Sequence, residues 1–264
     1  MSSKGSSPRP AYDHRMADLP ASVRVALWGT AALGGQLDPD DVPGRAMPDL
    51  DHVDGLVPQL GLWRDLGERL ILVALPRPGD LTSMPRGSAA LVAAATEAEE
   101  MVYVTGLGGA LVPRIAQFGP EGDQGWEARW TAHDADPVPQ HVVQQLSLPD
   151  VELQLRREIA ELTAELGQAP GQPLSGHGLE RAARDSVDTD WGLPEGLPPR
   201  AIRVVELAGA ITGLADAGLD HRLHSISSST TLGREQILRR LHDAASRALV
   251  AATNVGALHL AGWR

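Results

Sequence analysis

The sequence predicts an α+β protein: a small mixed sheet of four strands with one βαβ crossover, N-terminal helices before it and a set of long helices after it. Three observations carry that expectation. Aliphatic or alternating runs of strand length fall between residues 69 and 133. The first two of them are separated by a serine-capped, alanine-rich stretch of helical length. Beyond residue 138 the apolar residues recur at the three-four spacing of helices.

Residues 1–12 are small, polar and proline-bearing and read as a tail, because they bury too little apolar surface to order themselves. A first helix opens near Pro20 and closes at Gly34-Gly35, with Val23, Leu27 and Ala31 on one face. A second helical segment is expected from Leu50 to Gly67, through Val53, Leu56, Leu60 and Trp63, with Pro58 as a breaker. Arg69 to Pro76 is aliphatic without alternation, so it is expected to be an interior strand covered on both faces. Ser88 caps the next helix, and Met101 to Thr105 follows as the parallel partner strand. Ala110 to Phe118 and Trp126 to His133 are expected as antiparallel additions, the latter alternating Trp126, Ala128 and Trp130 with Glu127 and Arg129.

Ser147 opens the clearest helix, with Val151, Leu155, Ile159, Leu162 and Leu166 in one stripe and charges opposite. Residues 167–198 are proline- and glycine-rich and read as a connection between an α+β domain, 13–166, and a helical hairpin, 199–264, packed on it. The hairpin's second helix carries an alanine-rich stripe, Leu238, Leu241, Ala245, Ala248, Ala252 and Val255, flanked by Ile237, Ala244, Ala251 and Leu258. Small residues let helix axes approach closely, so this stripe is either core or the surface of a homo-oligomer.

Composition limits the function. Lys4 is the only lysine against 22 arginines, Asn254 the only asparagine and Phe118 the only phenylalanine, the signature of a high-GC bacterial genome. Arginine clusters and alanine stripes are therefore discounted as chemistry. Zero cysteines exclude disulfides and thiolate sites. The net charge of -11 argues against nucleic acid as a partner, and all of it lies in the first 166 residues, where 24 acidic residues face 13 basic ones. No stretch is long and apolar enough for a membrane span, and Val25 to Gly34 lacks the flanks of a signal peptide, so a cytoplasmic location is expected.

The parallel pair would place two unusual loops at one sheet edge, where α/β proteins bind ligands. One, residues 77–87, carries Arg77, Asp80, Thr82 and Arg86 and ends at the Ser88 helix, whose free N–H groups suit a small anionic ligand. The other offers Gly106, Gly108 and Gly109, though GLGG is no dinucleotide fingerprint and serves equally as a hairpin turn. Asp216, Asp220, His221 and His224 lie close in sequence, and a continued helix would put Asp216, Asp220 and His224 on one face, but Gly218 interrupts it and no metal site is assigned. Asp49, Asp51, His52 and Asp54 miss the calcium-loop spacing, with Leu60 where a glutamate is needed. Residues 225–231 read as a helix cap rather than a phosphate cradle, and Leu174 to Gly178 lacks the first glycine of a nucleophile elbow. No catalytic signature survives and no cofactor is assigned. Two readings stand: a non-catalytic binding or scaffold protein that self-associates, and a small-molecule enzyme or binder gripping an anionic group at the C-terminal edge of the parallel pair.

Overall fold

The computed structural model describes residues 19–120, 122–168, 191–220 and 229–263. Helix α1 (Ala21–Leu33) follows Pro20 and is apolar on almost every side. It is correspondingly buried from Ala21 to Leu33, apart from Arg24 and Trp28. A 3-10 turn (Pro39–Asp41), capped by the Asp38 carboxylate, leads into the short α2 (Val42–Ala46). The segment expected to be one helix from 50 to 67 is instead β1 (His52–Asp54) followed by α3 (Leu56–Asp65). Pro58 does not break α3, because it sits in the first turn, where the missing N–H has no intrahelical acceptor anyway.

The remaining strands are β2 (Ile71–Ala74), β3 (Met101–Val104), β4 (Ala110–Phe118) and β5 (Gly125–His133), with α4 (Ala89–Ala98) between β2 and β3. The sheet has five strands in the order β1-β5-β4-β3-β2, not four. Its mixed character comes from β1, which runs parallel to β5. The expected βαβ crossover is absent: β2 and β3 are antiparallel, with Ile71 opposite Val104 and Ala74 opposite Met101. The long loop explains the reversal. After β2 the chain pairs Gly87 with Ala135, and the Asp136 N–H donates to Arg86 O at 2.7 Å, so Ser88 stands near the turn that follows β3. The loop has thus already returned the chain along the sheet before α4 begins. Helix α4 then climbs back, and β3 descends beside β2.

A second expectation fails with the first. Strand β2 is an edge strand, yet Leu70, Ile71, Leu72, Val73 and Ala74 are all fully buried. The missing neighbour is replaced by side chains from two helices. Thr30 of α1 receives the Ile71 N–H at 3.0 Å and donates to Ile71 O at 3.2 Å. Asn254 accepts the Val73 N–H at 2.8 Å and donates to Val73 O at 3.1 Å, so its amide stands in for the peptide group of an adjacent strand.

Asn254 belongs to the last of three long helices, α6 (Leu148–Gln168), α7 (Pro199–Asp220) and α8 (Ser229–Leu260). Helix α8 packs against α7, α6, α1 and β2. Its stretch Ala248 to Leu258 is buried all round, which makes it the central helix rather than a surface one. Of the stripe considered for self-association, Leu238, Ala245, Ala248, Ala252 and Val255 are buried inside the chain, and Leu241 is partly buried. Helix α6 lies on this core through Leu155 and Leu162, with ion pairs Glu158 to Arg247 at 3.2 Å and Glu165 to Arg240 at 2.7 Å along the seam. Among the described residues no helix is long and apolar enough to cross a membrane.

Candidate functional site

The residues expected to form one anion site occupy two places. Because β2 and β3 are antiparallel, the chain leaves β2 at one end of the pair and leaves β3 at the other. Arg77, Asp80 and Thr82 stay near the first end, against α8. Ser88, Gly108 and Gly109 line a cleft at the second, with Gly106 in the same turn and Arg86 just before Ser88. The C-terminal edge shared by two parallel strands, on which the anion reading depended, does not exist.

At the first end, Arg77 and Asp80 pair through both backbone N–H groups at 2.9 Å, forming a tight clip. The Asp80 carboxylate accepts from the Thr82 hydroxyl and from its N–H, and these bonds hold its pKa below the usual aspartate value. The Arg77 guanidinium reaches α8, where Nη2 lies 2.7 Å from His242 Nε2 and Nη1 lies 3.6 Å from Asp243. His242 is 2% exposed, and its Nδ1 is 3.1 Å from Ser246 Oγ. Its Nε2 is also 3.2 Å from Asp216 Oδ1 on α7. Histidine, serine and aspartate thus meet, but inside a helix seam, and the cluster joins the loop to the bundle.

At the second end lies a cleft of about 510 Å³. Buried Trp63 of α3 contributes to its lining, the turn Leu107 to Gly109 and the last residues of β5 enclose it, and Ser88 stands at one side. The turn is fixed from beneath. Buried Glu68 accepts the Leu107 N–H through its carboxylate, and a Cβ on Gly106 would stand 2.9 Å from Glu68 Oε1. Gly108 has φ +77°, and a Cβ there would collide with Ala135 O, so the backbone path demands glycine at 108, whereas at Gly106 the only close contact is the Glu68 carboxylate. The Ser88 hydroxyl is engaged as the cap of α4, accepting the Leu91 N–H at 3.1 Å. Around the opening stand Leu62 at 50%, Leu66 at 56% and Leu107 at 52% exposure, three large apolar side chains from two separate elements.

Residues 22–144 match the model of the Rv1486c-like protein N-terminal domain, and residues 149–250 match that of the Rv1486c-like protein C-terminal domain. Together the two matches span most of the sequence, in order. The chain belongs to the Rv1486c-like family. No curated protein and no solved structure matches it. In this Rv1486c-like protein the division between the two matched domains falls between α5 (Gln140–Gln144) and α6. The cleft lies wholly in the first domain, whereas Arg77 and His242 join the two.

Other residues with chemical promise are not assembled. Asp216 faces His242, while His221, His224, Ser225 to Ser228 and Leu174 to Gly178 lie outside the described residues. Among the described residues no three acidic or histidine side chains are grouped to hold a metal ion. Asp51 has a structural part, its carboxylate accepting the Trp126 N–H at 2.9 Å beside β1. Sequence reasoning missed His242, because it lies on α8 among residues read only for their alanine stripe. It also missed the cleft, although a signal existed: Leu62 and Leu66 sit four apart and off the Leu56, Leu60, Trp63 face, and Leu107 is a large apolar residue in a glycine turn.

Proposed function

We propose that this chain is a non-catalytic binding protein that receives a large apolar side chain, borne on a basic stretch of a partner protein, in the Trp63 cleft. The observation that carries the reading is the convergence of Leu62, Leu66 and Leu107, each about half exposed, around a concavity of about 510 Å³, roomy enough for a large side chain and its neighbours. The polar groups beneath and beside it already have structural partners: the Glu68 carboxylate holds Leu107, and the Ser88 hydroxyl caps α4. What faces outward is mixed: the three leucines stand beside Gln59, His133 and Asp134. A basic flank on the partner suits the charge of -11 carried by the first 166 residues and the exposed Asp134 on the cleft lining.

A random peptide display selection against the purified full chain tests this. Enrichment of Leu, Phe or Trp anchors beside Arg or Lys is expected, with binding lost in Leu62→Glu/Leu107→Glu and in Ala132→Trp, which fills the cleft. Peptides that bind these variants as well as the parent would overturn the reading. Sedimentation at two concentrations adds a separate outcome: a dimer that disappears in Leu62→Glu/Leu107→Glu would make a second copy of the chain the occupant.

A further inference from the structure

We infer that His242 is a proton-controlled latch between the loop after β2 and the helical bundle. One ring nitrogen faces two neighbours with opposite demands. Nε2 lies 2.7 Å from Nη2 of Arg77 and 3.2 Å from Oδ1 of Asp216. A guanidinium has only hydrogens to offer, and an ionised carboxylate has only lone pairs. Nε2 therefore bonds one or the other, and its proton decides which.

With Nε2 unprotonated, Arg77 donates to it, the Nδ1 proton goes to Ser246 Oγ at 3.1 Å, and Arg77 is retained on α8. With Nε2 protonated, the imidazolium donates to Asp216 and stands against a second cation at the same short distance. Arg77 is then repelled from the seam. Histidine is the side chain whose charge ordinarily changes between about pH 5 and 8, so acidification is the trigger.

The charged surroundings are few among the described residues. The loop supplies Arg77 and Asp80, α7 supplies Asp216, and α8 supplies Asp243, 3.6 Å from Arg77. Arg247 and Arg240 of α8 are engaged by Glu158 and Glu165 of α6, and β2 presents no titratable side chain. The Arg77 guanidinium has one other charged partner in the seam, Asp243 at 3.6 Å, and its buried Nε has no partner among the described residues. The loop it anchors ends at Gly87 and Ser88, beside the Trp63 cleft, where the Gly87–Ala135 pairing and the Asp136 N–H bond to Arg86 O hold it independently of Arg77. The latch itself does not depend on what that cleft binds.

The test is made on the full chain without ligand. Long-range proton–nitrogen NMR reads the protonation of both His242 ring nitrogens from pH 8 to pH 5, and hydrogen exchange corrected for intrinsic rates reads residues 77–84 over the same range. Exchange in the loop is expected to quicken several-fold with the same midpoint as Nε2 protonation. In His242→Gln, whose amide oxygen still accepts from Arg77 but takes no proton, loop exchange is expected to stay flat. In Asp216→Asn the release is expected to move to lower pH, because the imidazolium loses its acceptor charge. Protonation of Nε2 with unchanged loop exchange overturns the latch, and so does an Nε2 that stays unprotonated down to pH 5. Both readings come from the parent protein, so they hold even if a variant fails to fold.

Discussion

The two edges of the sheet solve one problem in opposite ways. Strand β1 is three residues long, exposes His52 and Asp54, and leaves its outer backbone groups near the surface. Strand β2 is aliphatic and wholly buried, and helices α1 and α8 cover it. Where a strand edge is wet, water satisfies its peptide groups. Where helices cover it, those groups must be met by protein, and here Thr30 and Asn254 meet them. Burial and strand pairing are therefore separate properties, and an apolar run announces only the first.

The sharpest way to break this comparison is to remove the amide at position 254. Asn254→Leu keeps similar bulk but leaves the Val73 N–H and C=O buried and unpaired, each costing about 1 to 3 kcal/mol. A loss of about 2 to 6 kcal/mol is expected in urea unfolding of the full chain. A loss below about 1 kcal/mol would mean that water reaches the β2 edge and that the two edges do not differ.

Thr30→Val is the matching change on the other clasp, nearly isosteric and without the hydroxyl that serves both groups of Ile71. One oxygen doing two duties, with the donated bond at 3.2 Å, is a weaker substitute than a planar amide. A loss of about 1 to 3 kcal/mol is expected by the same measurement. If it equals or exceeds the Asn254→Leu loss, the ranking of the two clasps is reversed.

These clasps explain which parts of the architecture could be read in advance. Segments β2 to β5 and the helices around α1, α4, α6 and α8 follow from apolar runs, the Ser88 cap and three-four spacing, all properties of neighbouring residues. Strand β1 was hidden because its alternation of His52, Val53 and Asp54 is only three residues long, too short to stand out from a polar loop. The strand–helix–strand order predicts a parallel β2–β3 pair, but the length of residues 77–87 carries the chain back along the sheet before α4 and reverses β3. The scarcity that made Asn254 conspicuous was assigned to codon supply alone, and its partner lies 181 residues away. For the cleft, the glycine turn and Ser88 stand out in the sequence, but their neighbours Leu62, Trp63 and Leu66 come from α3 and its end, which no local pattern joins to them.

Glu100 extends the comparison to the start of α1, where its carboxylate accepts the Ser22 N–H at 2.8 Å. Burial raises its pKa, and the bond from Ser22 opposes that rise only in part. A carboxyl whose folded pKa is raised contributes stability below its unfolded value and loses it as pH climbs through the folded value. Glu100→Gln retains an oxygen for Ser22 and removes the charge. It is expected to be more stable than the parent at pH 7, with the gap closing as pH falls below about 4. A parent that is the more stable at pH 7 would show that the helix-capping bond outweighs burial.

The smallest effect belongs to the wet edge. Asp54→Val puts a β-branched residue on exposed β1, where neither a covering helix nor a buried polar group depends on the carboxylate. Stability is expected to stay within about 0.5 kcal/mol of the parent, as for other surface substitutions. The change should appear instead in association, because a charge at an exposed edge discourages a second strand from pairing there. Light scattering of parent and variant at rising concentration reads that directly. A fall in stability of more than about 1 kcal/mol with unchanged scattering would place β1 among the structural strands rather than the guarded edges. The asymmetry between the edges would then rest on β2 alone.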